Sequence, residues 1–285
     1  MRFARVGEAG AEIPVVVHED RLLDLRPLTS DVNGGFLKSE PVATTSRAIS
    51  RGQLPLLDWR PYTRFGAPIA RPSAVLCVGM NYVAHAAESG SPPPTTPVLF
   101  LKTPNTVAGP NDPVTIPRGS EKTDWEVELG VVIGRRASYL DSPGQSMGHV
   151  AGFVAAHDVS ERTFQLEVSG GQWSKGKCSP GFTPIGPWLV TPDEVDHRAL
   201  GLRSSVNGQV RQDSTTADMI FSVEQIVWHL SQFVTLEPGD LLLTGTPEGV
   251  ALSGRYPFLR PGDVVEIEVT GLGRQRQQFR AWERL

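Results

Sequence analysis

The chain has 285 residues, of which 39% are hydrophobic and 20% are charged, as in an ordinary globular protein with a sizeable core. Its 27 basic and 31 acidic residues give a net charge of −4 without a block of like charge, which argues against binding to nucleic acid or to an anionic membrane. The two cysteines stand in unlike settings, and we see neither an apolar leader after Met1 nor a bilayer-length apolar segment. We therefore expect free thiols and a cytoplasmic protein.

Residues 1–71 predict a small N-terminal domain in which we see no chemistry. Its expected role is packing or subunit contact. Apolar runs and turn residues indicate three strands, a short helix and a linker-like stretch, in this order: Phe3 to Val6, Pro14 to Val17, Leu22 to Leu25, Thr44 to Arg51 and Leu57 to Pro61.

Residues 72–285 predict a larger, strand-rich α/β domain with few helices. A helical segment at Met80 to Glu88 precedes a proline-rich loop that is suited to act as a lid. The clearest helix begins at the capping box Ser222-x-x-Gln225, and its apolar stripe runs as far as Val234. Strands are expected at Ala74 to Val78, Val98 to Lys102, Val150 to Ala156, Leu241 to Leu243 and Val264 to Val269.

The most informative segment is an acidic strand at residues 124–133. Side chains two apart share a strand face, so Asp124, Glu126 and Glu128 lie on one side and apolar residues on the other. Carboxylates held this close repel one another unless water or a cation intervenes, and a hard divalent cation is a natural partner. The alternative is that this face is simply the solvated side of an antiparallel sheet.

A second candidate group is the pair formed by His85 and Glu88. Helical spacing places the two side chains on one face, where the carboxylate orients the imidazole and raises its basicity. Such a pair is suited to activate a water molecule as a general base. The alternative is an ordinary surface contact.

Further polar residues stand at the ends of predicted strands or in glycine-rich loops. Asp158 ends an apolar strand and is a candidate third carboxylate for the ion. Arg162 and Gln165 offer donors to an anionic substrate, and Lys177 offers a cation for a developing oxyanion. The Thr246 hydroxyl is a candidate ligand contact. Each of these residues alone would most simply be a solvated side chain.

Five motifs follow one another in chain order: Gly79-Met80-Asn81-Tyr82-x-x-His85-x-x-Glu88, Trp125-Glu126-x-Glu128-Leu129, Asp158-x-Ser160-x-Arg162-x-x-Gln165, Gly176-Lys177 and Thr244-Gly245-Thr246-Pro247-x-Gly249-Val250. In this order they resemble the fumarylacetoacetate hydrolase family, from about Pro72 to near the C-terminus. The resemblance implies a mixed β-sandwich roll, usually dimeric, that binds Mg²⁺ or Mn²⁺.

The resemblance also assigns roles to individual residues. The metal ligands would be Glu126, Glu128 and Asp158. His85, Glu88 and Lys177 would be catalytic, and a second set would contact the substrate: Tyr82, Arg162, Gln165 and Thr246.

Two departures from the family pattern affect the expected site. His157 stands where many members carry Asn, and strand alternation turns it away from the ligands. Cys178-Ser179-Pro180-Gly181-Phe182 stands where many relatives carry Ser-x-Asp-Thr-Phe. Substrate contacts made by this loop are therefore expected to differ.

The expected activity is hydrolysis of a carbon–carbon bond in a 2,4-dioxo acid, either acylpyruvate-like or a diketo-deoxy sugar acid, with an ion-stabilised enolate as leaving group. Isomerisation or decarboxylation of a 2-oxo dicarboxylic acid, of the 2-hydroxyhepta-2,4-diene-1,7-dioate or oxaloacetate type, is an alternative. A non-catalytic metal- or ligand-binding protein is a second alternative.

Overall fold

Strands dominate the computed structural model, which describes residues 1–58 and 63–283, so that Trp59 to Pro61 of the linker-like stretch lie outside the described residues. The strands are β1 (Arg2–Val6), β2 (Ile13–His18), β3 (Arg21–Asp24), β4 (Val75–Gly79), β5 (Val98–Lys102), β6 (Val107–Ala108), β7 (Val114–Thr115), β8 (Thr123–Asp124), β9 (Val127–Ile133), β10 (Val150–His157), β11 (Ser160–Glu161), β12 (Thr183–Pro184), β13 (Leu189–Val190), β14 (Gly201–Val206), β15 (Gln209–Thr215), β16 (Leu241–Leu243), β17 (Val264–Val269) and β18 (Gly273–Arg280).

The helices are short and few. The α-helices are α1 (Gly34–Leu37), α2 (Pro41–Ser50), α3 (Val83–Glu88) and α4 (Val223–Ser231). Single turns of 3₁₀ or π-helix connect many of the strands, at Pro104–Thr106, Pro143–His149, Thr163–Glu167, Trp173–Gly176, Pro192–Glu194, Thr216–Asp218 and Ala251–Ser253. The predicted strand-rich α/β class is confirmed.

Two mixed sheets form the framework. The larger has nine strands in the order β3-β2-β1-β13-β10-β9-β16-β4-β5, with β16 and β4 parallel and the other pairs antiparallel. The smaller has five strands in the order β15-β14-β17-β18-β7. The N-terminal strands join the larger sheet where Arg2 pairs with Val190, so one sheet contains strands from both sides of the predicted boundary. The division at residues 71 and 72 stays a prediction.

Strand β9 is buried on both faces, and its acidic side chains are therefore shielded from bulk solvent. Val127, Leu129, Val131 and Ile133 point into the core between the two sheets, as alternation predicts. The opposite face, which carries Val132, packs against a second core that includes Leu241 and N-terminal side chains. The acidic face is therefore not solvated.

Helix α4 begins as the sequence predicts. The Ser222 side chain accepts from the Gln225 backbone N–H, and the Gln225 side chain accepts from the Ser222 N–H. The predicted apolar stripe is too long, because the helix ends at Ser231 and Phe233 is exposed. In the part of the chain that the structure describes, we find no helix with the length and apolar character needed to cross a bilayer.

Leu242 in β16 tests the core between the sheets. Leu242→Ala removes a fully buried side chain that neighbours Val131 and Leu76, and we expect a loss of about 2–5 kcal/mol in unfolding free energy. Chemical denaturation at fixed protein concentration measures the loss. The matched change Leu56→Ala at an exposed position is expected to cost less than about 0.5 kcal/mol. Equal losses for the two variants would contradict this description of the core.

Candidate active site

Three carboxylates meet where β9 begins and β10 ends. Glu126 directly precedes β9, Glu128 lies within it, and Asp158 directly follows β10. The antiparallel register pairs Val127 with His157, and the Asp158 N–H donates to the Glu126 carbonyl at 3.0 Å. One oxygen from each of the three carboxylates lies within 4.8 Å of the others. Two separate stretches of chain thus build one buried, all-oxygen cluster.

Three buried cations surround this cluster. Lys177 Nζ donates to Glu126 Oε2 at 2.6 Å and to Asp158 Oδ2 at 2.7 Å. Lys102 Nζ donates to Asp158 Oδ1 and, at 2.8 Å, to the Phe182 carbonyl. Lys102 could not be recognised from its place at the end of an apolar run, because its partner Asp158 lies 56 residues away.

Arg162 is the third cation, and it explains Asp124. Its Nε donates to Asp124 Oδ2 at 2.8 Å, and its Nη2 lies 2.8 Å from Glu126 Oε1. Asp124 also accepts from the backbone N–H groups of Ala251 and Leu252. The sequence placed Asp124 beside the ion, whereas the structure uses it to hold Arg162, since alternation fixes a face but not a partner.

Glu126 and Glu128 differ in pKa because their charged neighbours differ. Burial opposes ionisation of Glu126, but the Lys177 and Arg162 cations outweigh it and lower its pKa to about 2. Burial and the Asp158 and Glu126 carboxylates instead raise the pKa of Glu128 well above its usual value. Glu128 thus carries repulsion that the protein cations leave uncompensated. A small divalent cation among three carboxylates would relieve it, and oxygen donors are those that Mg²⁺ and Mn²⁺ favour, so these residues fit the predicted metal.

The predicted water-activating pair, His85 and Glu88, lies at the same cavity as Glu126 and Glu128. Helix α3 places His85 Nδ1 3.6 Å from Glu88 Oε2, and both side chains are largely buried. Burial opposes ionisation of Glu88, but the neighbouring His85 imidazole and the hydrogen bond from the Gly249 N–H keep the pKa of this carboxyl below its usual value. The carboxylate is thereby fixed, and the imidazole faces the cavity.

A strained turn leads into α3 and sets the position of this pair. Met80 adopts a left-handed backbone conformation with φ of 60°, which is unfavourable for a residue with a side chain. The next residue, Asn81, is fully buried and donates to the carbonyls of Phe221 and Thr244, at 3.0 and 2.8 Å. These bonds hold the turn despite its strain.

A cavity of about 280 Å³ joins the carboxylate cluster to the His85–Glu88 pair. Of the predicted residues, it is lined by His85, Glu88, Glu126, Glu128, Arg162, Gln165, Lys177 and Thr246. Aromatic walls were not predicted: Phe100 lies 5.2 Å from Lys177 Nζ, and Trp173 packs edge-on against Phe100. A Cβ at Gly79 would lie 2.4 Å from the Trp173 ring, so the glycine makes room for this wall.

Gln165 and Thr246 both line the cavity, with different capacities for a ligand. Gln165 Oε1 accepts from Arg162 at 2.8 Å, which directs its amide nitrogen to other partners. The Thr246 hydroxyl donates to the Val127 carbonyl at 2.9 Å and accepts from Gln212 at 2.8 Å. The proton of this hydroxyl is committed to β9, and its contact with a ligand stays a prediction.

Tyr82 is the predicted substrate contact that the structure does not bring to the cavity wall. It is fully buried at the start of α3, and its hydroxyl has no hydrogen-bond partner. A direct contact of Tyr82 with substrate therefore stays a prediction. His157 is also buried away from the cluster, with Nδ1 2.9 Å from Gln277 Oε1, as alternation predicts.

The buried pair of Asp124 and Arg162 generates a stability prediction. Asp124→Asn leaves a buried guanidinium with less compensation, and we expect a loss of about 3–5 kcal/mol in unfolding free energy, measured by denaturation. The control is Glu268→Gln, which removes the carboxylate of an exposed pair with Arg274 and is expected to cost less than about 1 kcal/mol. A loss at Asp124 no larger than that of the control would contradict the anchoring role.

Comparison with known proteins agrees with this geometry. Residues 74–280 match the family model described as fumarylacetoacetate (FAA) hydrolase C-terminal. The chain is 42% identical to a 2,4-didehydro-3-deoxy-L-rhamnonate hydrolase from Sphingomonas sp. (strain SKA58), with 100% of this chain and 98% of the relative covered. The structure of the present chain resembles that of a 2-hydroxyhepta-2,4-diene-1,7-dioate isomerase from Mycobacterium marinum, at 32% identity and a TM-score of 0.75, with 100% of both chains covered.

A more distant structure shares the fold. Maleylpyruvate hydrolase from Sphingobium sp. SYK-6, in complex with manganese(II) and pyruvate, is 24% identical and has a TM-score of 0.81, with 99% of this chain and 100% of that chain covered. The family match spans well over half of the sequence. The chain therefore belongs to the fumarylacetoacetate hydrolase family of enzymes.

Proposed function

We propose that this enzyme hydrolyses a carbon–carbon bond in a 2,4-dioxo acid of the diketo-deoxy sugar acid or acylpyruvate type. The observation that carries the proposal is one cavity lined both by the His85–Glu88 pair and by Glu126 and Glu128, which form a carboxylate cluster with the fully buried Asp158. The Sphingomonas relative supports the sugar acid class, because it is a hydrolase at 42% identity over the whole chain.

Glu126, Glu128 and Asp158 would hold Mg²⁺ or Mn²⁺, which supplies Lewis acidity and a template for the carboxylate and 2-oxo oxygens of the substrate. The relative solved with manganese and pyruvate supports this choice of ion and ligand. Lys177 and Arg162 stay charged, because burial disfavours their cationic forms less than the surrounding carboxylates favour them, and the pKa of each is raised. They supply fixed positive charge beside the bound oxyanion.

The His85–Glu88 pair performs the proton transfers. His85 removes a proton from water, and Glu88, held by the Gly249 N–H, keeps the imidazole oriented and stabilises its charged form. The hydroxide adds to the C4 carbonyl, and collapse of that adduct breaks the bond between C3 and C4. A carboxylic acid and an enolate of a 2-oxo acid result, and the imidazolium returns its proton to C3.

Isomerisation is the second candidate, because the Mycobacterium marinum relative is an isomerase of similar structure. Isomerisation requires proton transfer but no attacking water. Substitution of the His85–Glu88 pair therefore distinguishes the two activities. The non-catalytic alternative is set aside, since the family consists of enzymes. The homodimer and the cytoplasmic location stay predictions.

The metal assignment is tested by calorimetric titration of Mg²⁺ and Mn²⁺. Glu126→Gln and Asp158→Asn each remove a charged donor, and we expect metal affinity to fall by at least 10–100-fold, the loss typical of removing even an outer-shell partner. Glu121→Gln, at an exposed position nearby in sequence, should leave affinity unchanged. Unchanged affinity in both cluster variants would reject the ion site.

The hydrolytic role of His85 is tested with acylpyruvates by following pyruvate release. His85→Ala is expected to lower kcat by about 10²–10⁴-fold, the usual contribution of a general base, while metal affinity is kept. His18→Ala, a change at a surface histidine, is the control. Full hydrolytic turnover by His85→Ala would remove this residue from the mechanism, and retained isomerisation with lost hydrolysis would confirm water activation as its task.

A further inference from the structure

The charge count of the buried cluster is uneven, and this limits which substrates fit. Four carboxylates, of Asp124, Glu126, Glu128 and Asp158, face three cations, and every one of these side chains is buried. One negative charge is therefore left over. A divalent cation turns this excess into one positive charge, which a single carboxylate of a bound 2-oxo acid neutralises.

The rest of the cavity offers no unpaired cation to a second carboxylate. Among the described residues that line it, the basic side chains are His85, Arg162 and Lys177. Arg162 and Lys177 are bound to carboxylates of the cluster, and His85 faces Glu88. The remaining wall is formed mainly by apolar side chains and two serine hydroxyls, including Val78, Phe100, Leu166, Trp173, Leu252, Ser89 and Ser91.

Outside the carboxylate cluster, the cavity lining carries a further negative charge. Glu88 lines the cavity, and its lowered pKa keeps it ionised at neutral pH. A second carboxylate on the substrate would lose hydration, find no unpaired cation and approach Glu88, each of which disfavours binding. A methyl or hydroxyl group meets none of these penalties.

From these observations, and resting on the proposed function of a 2-oxo acid site, we propose that the enzyme selects substrates with a single carboxylate. The end of the substrate away from the 2-oxo acid group is uncharged, and its subsite is formed by Phe100, Leu166 and Trp173 with the hydroxyls of Ser89 and Ser91. Dicarboxylates of the same length are rejected. This separates the chain from relatives that act on dioates.

The test is binding of two matched ligands that the enzyme does not need to cleave. Calorimetry of the Mg²⁺-loaded enzyme compares 2-oxohexanoate with 2-oxohexanedioate, which share chain length and the chelating group and differ in the charge of the far end. We expect the monoacid to bind at least about tenfold more tightly, a difference that shrinks as salt is added. Equal or tighter binding of the diacid would overturn the proposal.

A charge placed on the wall should reverse the preference. Leu166 lines the cavity and is 45% exposed, so Leu166→Arg adds a cation to the subsite without disturbing a core. We expect this variant to bring the dissociation constant of the diacid down to about that of the monoacid, or below it. Val168→Arg adds the same charge two residues away, outside the cavity lining, and should keep the original ratio. An equal shift in both variants would overturn the subsite assignment.

Turnover separates this inference from the proposed function. Hydrolysis is measured with 2,4-dioxoheptanoate and 2,4-dioxoheptanedioate, and the monoacid is expected to show the higher kcat/KM. Absence of cleavage of both compounds with an intact tenfold binding preference would reject the hydrolase and support the selectivity. Equal kcat/KM and equal affinity for both would reject the selectivity and support the hydrolase.

Discussion

A cluster of buried ionised groups governs the structure of this site. Carboxylates are costly to bury unless they are paired, and here four of them lie against two lysines and one arginine on a strand whose opposite face belongs to the main core. The pairing is incomplete, because Glu128 is next to Glu126 and Asp158, and among the described residues we find one donor to its carboxylate, the Gly245 N–H at 2.7 Å. The unbalanced carboxylate is what suits this cluster to a divalent metal ion.

The carboxylate cluster is held by two long paired strands, whereas the His85–Glu88 pair lies on a short helix. Ladder hydrogen bonds between β9 and β10 fix the relation of Glu126 and Asp158, and the loop after β16 ties Thr246 to the Val127 carbonyl. His85 and Glu88 lie instead on a six-residue helix between a strained turn and a proline-rich loop. Such an arrangement would allow the proposed base to move over a bound substrate while the proposed metal ligands stay in place.

Much of this could be predicted from sequence, because local periodicity carries it. Alternation gave the shared face of Glu126 and Glu128, and helical spacing gave the pairing of His85 with Glu88. Partners distant in sequence could not be read this way. Lys102 was missed because strand β5 exposes Leu99 and Leu101 and buries its lysine, the reverse of the usual pattern. The roles of Asp124 and Thr246 depended on Arg162 and Gln212, which no spacing relates to them.

The most direct test of the account is a crystal structure of the protein with Mn²⁺, using anomalous diffraction to locate the ion. The account predicts one strong anomalous peak enclosed by Glu126, Glu128 and Asp158, at about 2.1 Å from an oxygen of each, the coordination distance of a small divalent cation. A well-ordered cluster without a peak, or a peak held by other residues, would contradict it.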